Sequence, residues 1–253
     1  QAMDGERQSN LASKLALCEE IEALIHADEE QLAPARVRLQ AIQQEWDAIG
    51  PIPKAEQRTL DQRLETALRQ LNRREQTLRR TRFQQTSQHL HERARQCAQV
   101  EALLMDPSVD ADTLASYQQT WAALPALPAA LLEPMQRRFD AACLALTGAP
   151  ESARELRANL ERNLERKKVW CVCMEIIAGV ESPPAFASLR MEYQVARLSA
   201  SLAGAVARTD AIYDPRRLQE QWCLTGALPA GVEAELDARF LRALGAWQQR
   251  EEV

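Results

Sequence analysis

Arg63, Arg69, Arg73, Arg74, Arg79, Arg80, Arg82, Arg93 and Arg95 stand within 33 residues that hold three glutamates. A run of guanidinium groups on a polar segment is chemistry for phosphates, RNA or DNA, or an acidic protein surface, because each fork of N–H donors matches anionic oxygens. Residues 63–95 carry a net charge of +6, whereas residues 1–62, with 6 basic and 12 acidic side chains, carry −6. A solvated helix balancing an acidic neighbour accounts for the same numbers. Arg69, Arg73, Arg74, Arg79, Arg80 and Arg82 are the candidate contacts for a polyanion or partner. Phe83 is the one Phe, Tyr or Trp in the run, so a platform for stacking bases has little support.

The other reactive side chains do not assemble into a recognisable motif. His89 and His91 are two apart and point to different sides of a helix, and His26 is remote. No Cys or Asp cluster joins them at metal-ligand spacing. Cys171 and Cys173 form C-x-C, with one residue expected in a core and one beside it. With Cys18, Cys97, Cys143 and Cys223 they fall mostly at apolar helical positions, the pattern of reduced, core-facing thiols in a cytoplasmic protein. There is no glycine-rich phosphate loop and no nucleophile elbow. The expectation is therefore no catalytic, cofactor-binding or metal-binding residue, and no enzyme. Arg162, Arg166, Lys167 and Lys168 alternate with Glu155, Glu161 and Glu165, which reads as surface ion pairing along a helix.

Helices must position these groups. Hydrophobic residues make up 46% and charged residues 26% of the 253-residue chain, a globular balance, and its 8 glycines are few for a loop-rich β protein. No run of about 18 apolar residues exists, so no membrane partner is expected. A polar start, Gln1 to Asn10, predicts no secretory signal, although the chain does not begin with Met. Apolar residues recur every three or four positions, as in Ala35, Leu39, Ile42, Trp46 and Ile49. Between the prolines this predicts helices near 7–28, 31–49, 54–104, 111–124, 129–147, 152–180, 185–208, 215–225 and 230–250. Ser152 with Glu155 has capping-box spacing, and Asp214 before Pro215 is a natural N-cap. From Lys54 to Leu104 there is neither Pro nor Gly, which predicts one helix of about 75 Å with a solvated middle, the alternative being a break near Thr81 to Ser87. In 182–200, Met191, Tyr193, Val195 and Leu198 spread around a helix, and burial in the third unit is favoured over contact with a partner.

Self-similarity organises the whole chain. Seven residues after Trp46, Trp121 and Trp222 stand Pro53, Pro128 and Pro229. Seventeen after stand Arg63, Arg138 and Arg239; eighteen after, Leu64, Phe139 and Phe240; twenty-one after, Ala67, Ala142 and Ala243. The spacing predicts a helix ending after each Trp, a proline turn, and a returning helix whose residue at eighteen faces the indole. The adjacent arginine is expected to snorkel over the hairpin or to stack on that indole. The fold class is all-α, an elongated array of three diverged helical hairpins with a long helix bridging the first and second. The units fall at 1–75, 76–150 and 151–253, the third elaborated by an extra helix.

EWDAIGPIPKAEQ with RLETA, TWAALPALPAA with RRFDAA, and QWCLTGALPAG with ARFLRA resemble the bacterial repeat family called Domain of Unknown Function 349. That family is similar in carrying tandem short helical units with a Trp. Its glycine–proline turn matches best at Gly50 and Pro51; the second segment has Leu124 and Pro125 there, the third Gly226 and Ala227. The resemblance implies structure and no activity. Binding of another macromolecule, most plainly a protein, is the expected use of such an array, with nucleic acid at the arginine run as the alternative.

Overall fold

The computed structural model describes residues 2–27, 29–105, 111–148, 150–202 and 214–250. Among them every regular element is helical and no strand occurs. The helices are α1 (Ala2–Ile25), α2 (Glu29–Ala48), α3 (Lys54–Ala102), α4 (Ala111–Ala123), α5 (Ala129–Leu146), α6 (Pro150–Ala158), α7 (Leu160–Ala178), α8 (Ala187–Leu202), α9 (Pro215–Leu224) and α10 (Glu233–Arg250). Single 3₁₀ turns stand at Leu103–Met105 and Pro184–Phe186.

Local chemistry explains several of these boundaries. Asp214 caps α9 as its spacing predicts: its carboxylate accepts from the Arg216 N–H at 3.0 Å, and Pro215 opens the helix. Gly179 closes α7 at φ 62°, and its N–H and that of Val180 return to carbonyls of the last turn. Any side chain there would also meet the Arg250 guanidinium at 2.6 Å. The single helix predicted over 152–180 divides instead at Asn159. Asn159 makes no side-chain cap hydrogen bond there; its side-chain oxygen accepts from the Arg162 guanidinium at 2.5 Å. The Ser152 side chain lies outside the described residues, and α6 begins at Pro150, ahead of the predicted cap. Positions 203–208 of the predicted extra helix also lie outside them.

Residues 54–102 form one uninterrupted helix, so the break considered near Thr81 is absent. From Asn72 to Thr86 none of its side chains is buried.

The chain forms two compact units, Gln1–Gln85 and Thr86–Val253. In the first, Leu17, Ile21, Ile42, Ala67 and Leu71 form one buried cluster, and Cys18, Ile52 and Leu60 a second; Trp46 and Leu64 pack on both, half-buried. The second unit has the larger core, running from Leu90 and Val100 through Met135 and Phe139 to Met174 and Phe240. Helix α7 lies inside it. Cys171 and Cys173 are both fully buried, because the neighbouring Val172 and Met174 are buried too and α7 presents no solvent face at that level. The expectation of one core and one flanking thiol is corrected on that ground.

Candidate functional site

Trp121 and Trp222 share a set of partners. Trp121 stacks on Phe139 with ring centroids 4.2 Å apart, and Trp222 on Phe240 at 4.0 Å, each 9° from parallel. In these two segments the residue at eighteen faces the indole. Trp121 donates its indole N–H to Gln136 at 2.8 Å, and Trp222 to Asp237 at 3.1 Å, both fifteen residues on.

The repeated arginines do something else than expected. Arg63 clamps Glu22 through Nε and Nη2, both at 2.7 Å. Arg138 clamps Glu101 at 2.8 and 2.6 Å, and Arg239 clamps Glu175 at 3.0 to 3.1 Å. None of the three stacks on its indole. A carboxylate one helix away offers a two-point match to the guanidinium fork, which a ring face does not.

The cation over each indole comes from another helix. Lys14 Nζ lies 4.5 Å from the Trp46 centroid, Arg93 Cζ 4.6 Å from Trp121, and Lys167 Nζ 4.8 Å from Trp222. All three are buried, so the indole face replaces part of their lost hydration. Arg93 also donates to the Leu124 and Pro125 carbonyls, both at 3.1 Å.

These cations mark a pattern that alignment on tryptophan misses. Lys14, Cys18 and Glu22 follow each other at steps of four; so do Arg93, Cys97 and Glu101, and Lys167, Cys171 and Glu175. Steps of four keep one helix face, and all three cysteines are fully buried there. The cation precedes its Trp by 32, 28 and 55 residues, so no fixed register connects them. The signal available in sequence was the recurrence of a cysteine four after a basic residue and four before a glutamate.

One step earlier stand Asn10 and Asn163. Asn10 donates to the Pro51 carbonyl at 3.1 Å, and Asn163 to the Ala227 carbonyl at 3.0 Å. The amides sit against glycine: a Cβ on Gly50 would meet Asn10 Nδ2 at 2.9 Å, and one on Gly226 would meet Asn163 Nδ2 at 3.1 Å. The middle segment lacks both members, having His89 and Pro125 at those positions.

The candidate arginine run divides by role. Arg74 donates to the Ala27 carbonyl at 2.5 Å, beyond the end of α1. Arg69 lies 3.8 Å from Glu65 and Arg79 3.7 Å from Glu75, i,i+4 pairs on exposed surface. Arg73 and Arg82 are exposed and Arg80 half-buried. With Arg63 and Arg93 holding Glu22 and the Trp121 turn, three of the nine arginines have defined packing roles in addition to charge.

In the second unit a groove of about 730 Å³ runs between the C-terminal part of α3 and the start of α10. Ala94, Ala98, Ala102 and Leu241 give it apolar walls, and His91, Lys167, Glu233 and Asp237 its polar lining. Burial pulls Lys167 and His91 below their ordinary values and pushes Glu233 above its own. Lys167 Nζ is 3.8 Å from Asp237, the carboxylate that also holds the Trp222 indole. His91 Nδ1 donates to the Ser87 carbonyl at 2.9 Å, while its Nε2 is buried without a hydrogen-bond partner. Lys167 and Asp237 of this lining are engaged in seating Trp222.

All six cysteines are buried and unpaired. Burial pushes the thiols of Cys97, Cys171, Cys173 and Cys223 up to about 12, which keeps them protonated and poorly nucleophilic. Among the described residues no group of three or more His, Cys, Asp or Glu is placed to hold a metal ion, and no helix is long and apolar enough to cross a membrane.

Helix α8 departs from expectation. Tyr193 and, just before the helix, Phe186 pack on the core. Met191, Val195 and Leu198 are 61%, 52% and 65% exposed. Burial of this helix on several faces is therefore corrected. The three residues lie within about 60° of one another on the side opposite Tyr193, by the 100° turn per residue of a helix.

Residues 1–55 match the family model described as Domain of Unknown Function (DUF349), which supports that family assignment over the stretch that holds Trp46 and its proline turn. No curated protein and no solved structure matches the chain.

Proposed function

We propose that this chain, carrying a segment of a family to which no activity is attached, is a non-enzymatic helical repeat scaffold that binds another protein. The repeat is read as three copies of a three-helix unit. The first helix brings the cation, cysteine and glutamate, the second ends in the tryptophan, and the third returns with the arginine and the stacked residue. On this reading α1, α2 and the start of α3 form one copy. The remainder of α3, with α4 and α5, forms the next. Helices α7, α9 and α10 form the third, with α8 inserted between its first and second helices.

The observation that carries the binding reading is the bare side of α8. Three large apolar side chains at i, i+4 and i+7, each more than half exposed, form a seam that another helix can cover. The repeated positions pack within each copy, and the insertion is where surface chemistry differs from one copy to the next. Cytoplasmic residence belongs to the same proposal and rests on the six unpaired thiols.

The test compares the tagged chain with a Met191→Glu, Leu198→Glu double variant, both purified from their native cytoplasm with and without nuclease. A stoichiometric, nuclease-resistant protein that the double variant loses, with its helical circular dichroism unchanged, supports the proposal. Material released by nuclease and insensitive to the α8 variant would transfer the function to the exposed arginines of α3.

A further inference from the structure

The arginine–glutamate pair of each copy meets a different fate. In the second copy the Arg138–Glu101 side chains are 8% and 0% exposed. The end of α9, from the third copy, covers them: Arg138 Nη1 donates to the Cys223 carbonyl at 2.6 Å. Cys223 follows Trp222 directly. In the third copy the Arg239–Glu175 pair is 5% and 3% exposed. The stretch leading into α8 covers it, with Ser182 Oγ donating to Glu175 at 2.5 Å and the Phe186 ring 3.8 Å from the guanidinium carbon. In the first copy the Arg63–Glu22 pair is 35% and 39% exposed. Arg63 spends Nε and Nη2 on Glu22, as Arg138 does on Glu101, and among the described residues no acceptor meets its Nη1.

The chain thus contains an interface and an unfilled instance of its receiving half. What fills such a face is visible within the second unit: the last turn of a tryptophan helix from the following copy, presenting the carbonyl one residue after the indole. The tryptophan helix that follows the first copy is α4. Its last turn is exposed at Ala122 and Ala123, where α9 has the buried Cys223 and half-buried Leu224. Both positions are uncharged, as in α9. The end of α2 carries Asp47 at that place, a poor fit beside Glu22 and Glu19, which both act on Arg63.

We propose that the Arg63–Glu22 face is a self-association site, and that its occupant is the last turn of α4 from a second copy of this chain, with the Ala122 carbonyl accepting from Arg63 Nη1. The proposal rests on the three-copy reading above. Each molecule offers one face and one helix end, so reciprocal docking closes a dimer and sequential docking extends a row.

Sedimentation velocity of the full chain over a wide concentration series is the test. The wild type is expected to show a concentration-dependent mass of two or more chains. Ala122→Arg, at an exposed position, is expected to weaken association about tenfold or more, and Arg63→Lys, which keeps the charge opposite Glu22 and removes Nη1, to weaken it as well. A monomer at every concentration overturns the proposal, as does an oligomer indifferent to both variants. Urea unfolding of Arg138→Lys separates this failure from failure of the copy reading. A lowered midpoint shows that the equivalent face works inside the chain, so that a monomeric wild type sinks only the self-association; an unchanged midpoint removes the premise itself.

Discussion

At the residue scale, similar pairs carry unequal weight because water reaches them unequally. Glu175→Ala strands a buried guanidinium, and such losses cost about 3–5 kcal/mol. Glu22→Ala leaves Arg63 where water can solvate it, and the loss is expected at or below about 1 kcal/mol. Urea midpoints of the two variants should therefore differ several-fold in their displacement from wild type, and equal displacements would refute the contrast. The tryptophans follow the same rule. Trp222 is 3% exposed and seated between Phe240 and Lys167, so Trp222→Ala is expected to cost about 3–5 kcal/mol, and Trp46→Ala, half-buried, clearly less. His91 adds a pH dependence. Burial holds its folded value below 6.5, so the unfolded chain binds the proton first, and stability falls as pH drops through about 6.5. Glu233, raised by burial, acts in the opposite direction, so the measurement is a difference: His91→Gln should flatten the urea-midpoint profile between about pH 6.5 and 5 relative to wild type. A parallel profile would mean that His91 does not titrate differently in the two states.

At the element scale, what sequence reveals depends on whether an interaction has fixed spacing. The proline, arginine and apolar positions stand at the same distances after each tryptophan, although the turns and returning helices differ in length, and that constant spacing makes them legible. The Asn, Lys or Arg, Cys and Glu positions sit on a helix joined to the tryptophan helix by connections of different length, and they are not. The same limit applies to the arginines: the residue at seventeen has a fixed spacing from the indole, whereas the glutamate it holds stands 41, 37 or 64 residues away, so sequence alone points to the ring. The outward side of α8 was misjudged for another reason. Apolar residues on several faces of a helix indicate burial only when the helix has neighbours on every side, and the number of neighbours is a tertiary fact. The proline turns yield a prediction of their own. Gly226→Ala places a methyl 3.1 Å from Asn163 Nδ2 and should displace the amide from the Ala227 carbonyl, at a cost of about 0.5–1.5 kcal/mol by thermal or urea unfolding. In an Asn163→Ala background the same substitution should cost much less, and full additivity would rule out the coupling.

At the scale of the molecule, the two compact units have cores of very different size. Buried apolar area sets most of the stability each can hold, at about 25 cal/mol per Å². Thermal unfolding is expected to show two transitions, the lower belonging to residues 1–85. Tryptophan fluorescence identifies it, since Trp46→Phe should remove most of the signal from the lower step and little from the upper. A single transition with all probes coincident would show that α3 couples the units into one cooperative block. The asparagine–glycine contacts have a consequence on a longer timescale. At two turns an amide occupies the space a Cβ would need, and at the third a histidine and a proline stand in their places. A sequence drifting from one arrangement to the other passes through a clash if the glycine changes first, and through an unsatisfied carbonyl if the asparagine does. Each member of the pair is therefore easier to replace once the other has changed, so the two positions vary as one unit even though 40 or more residues separate them in sequence.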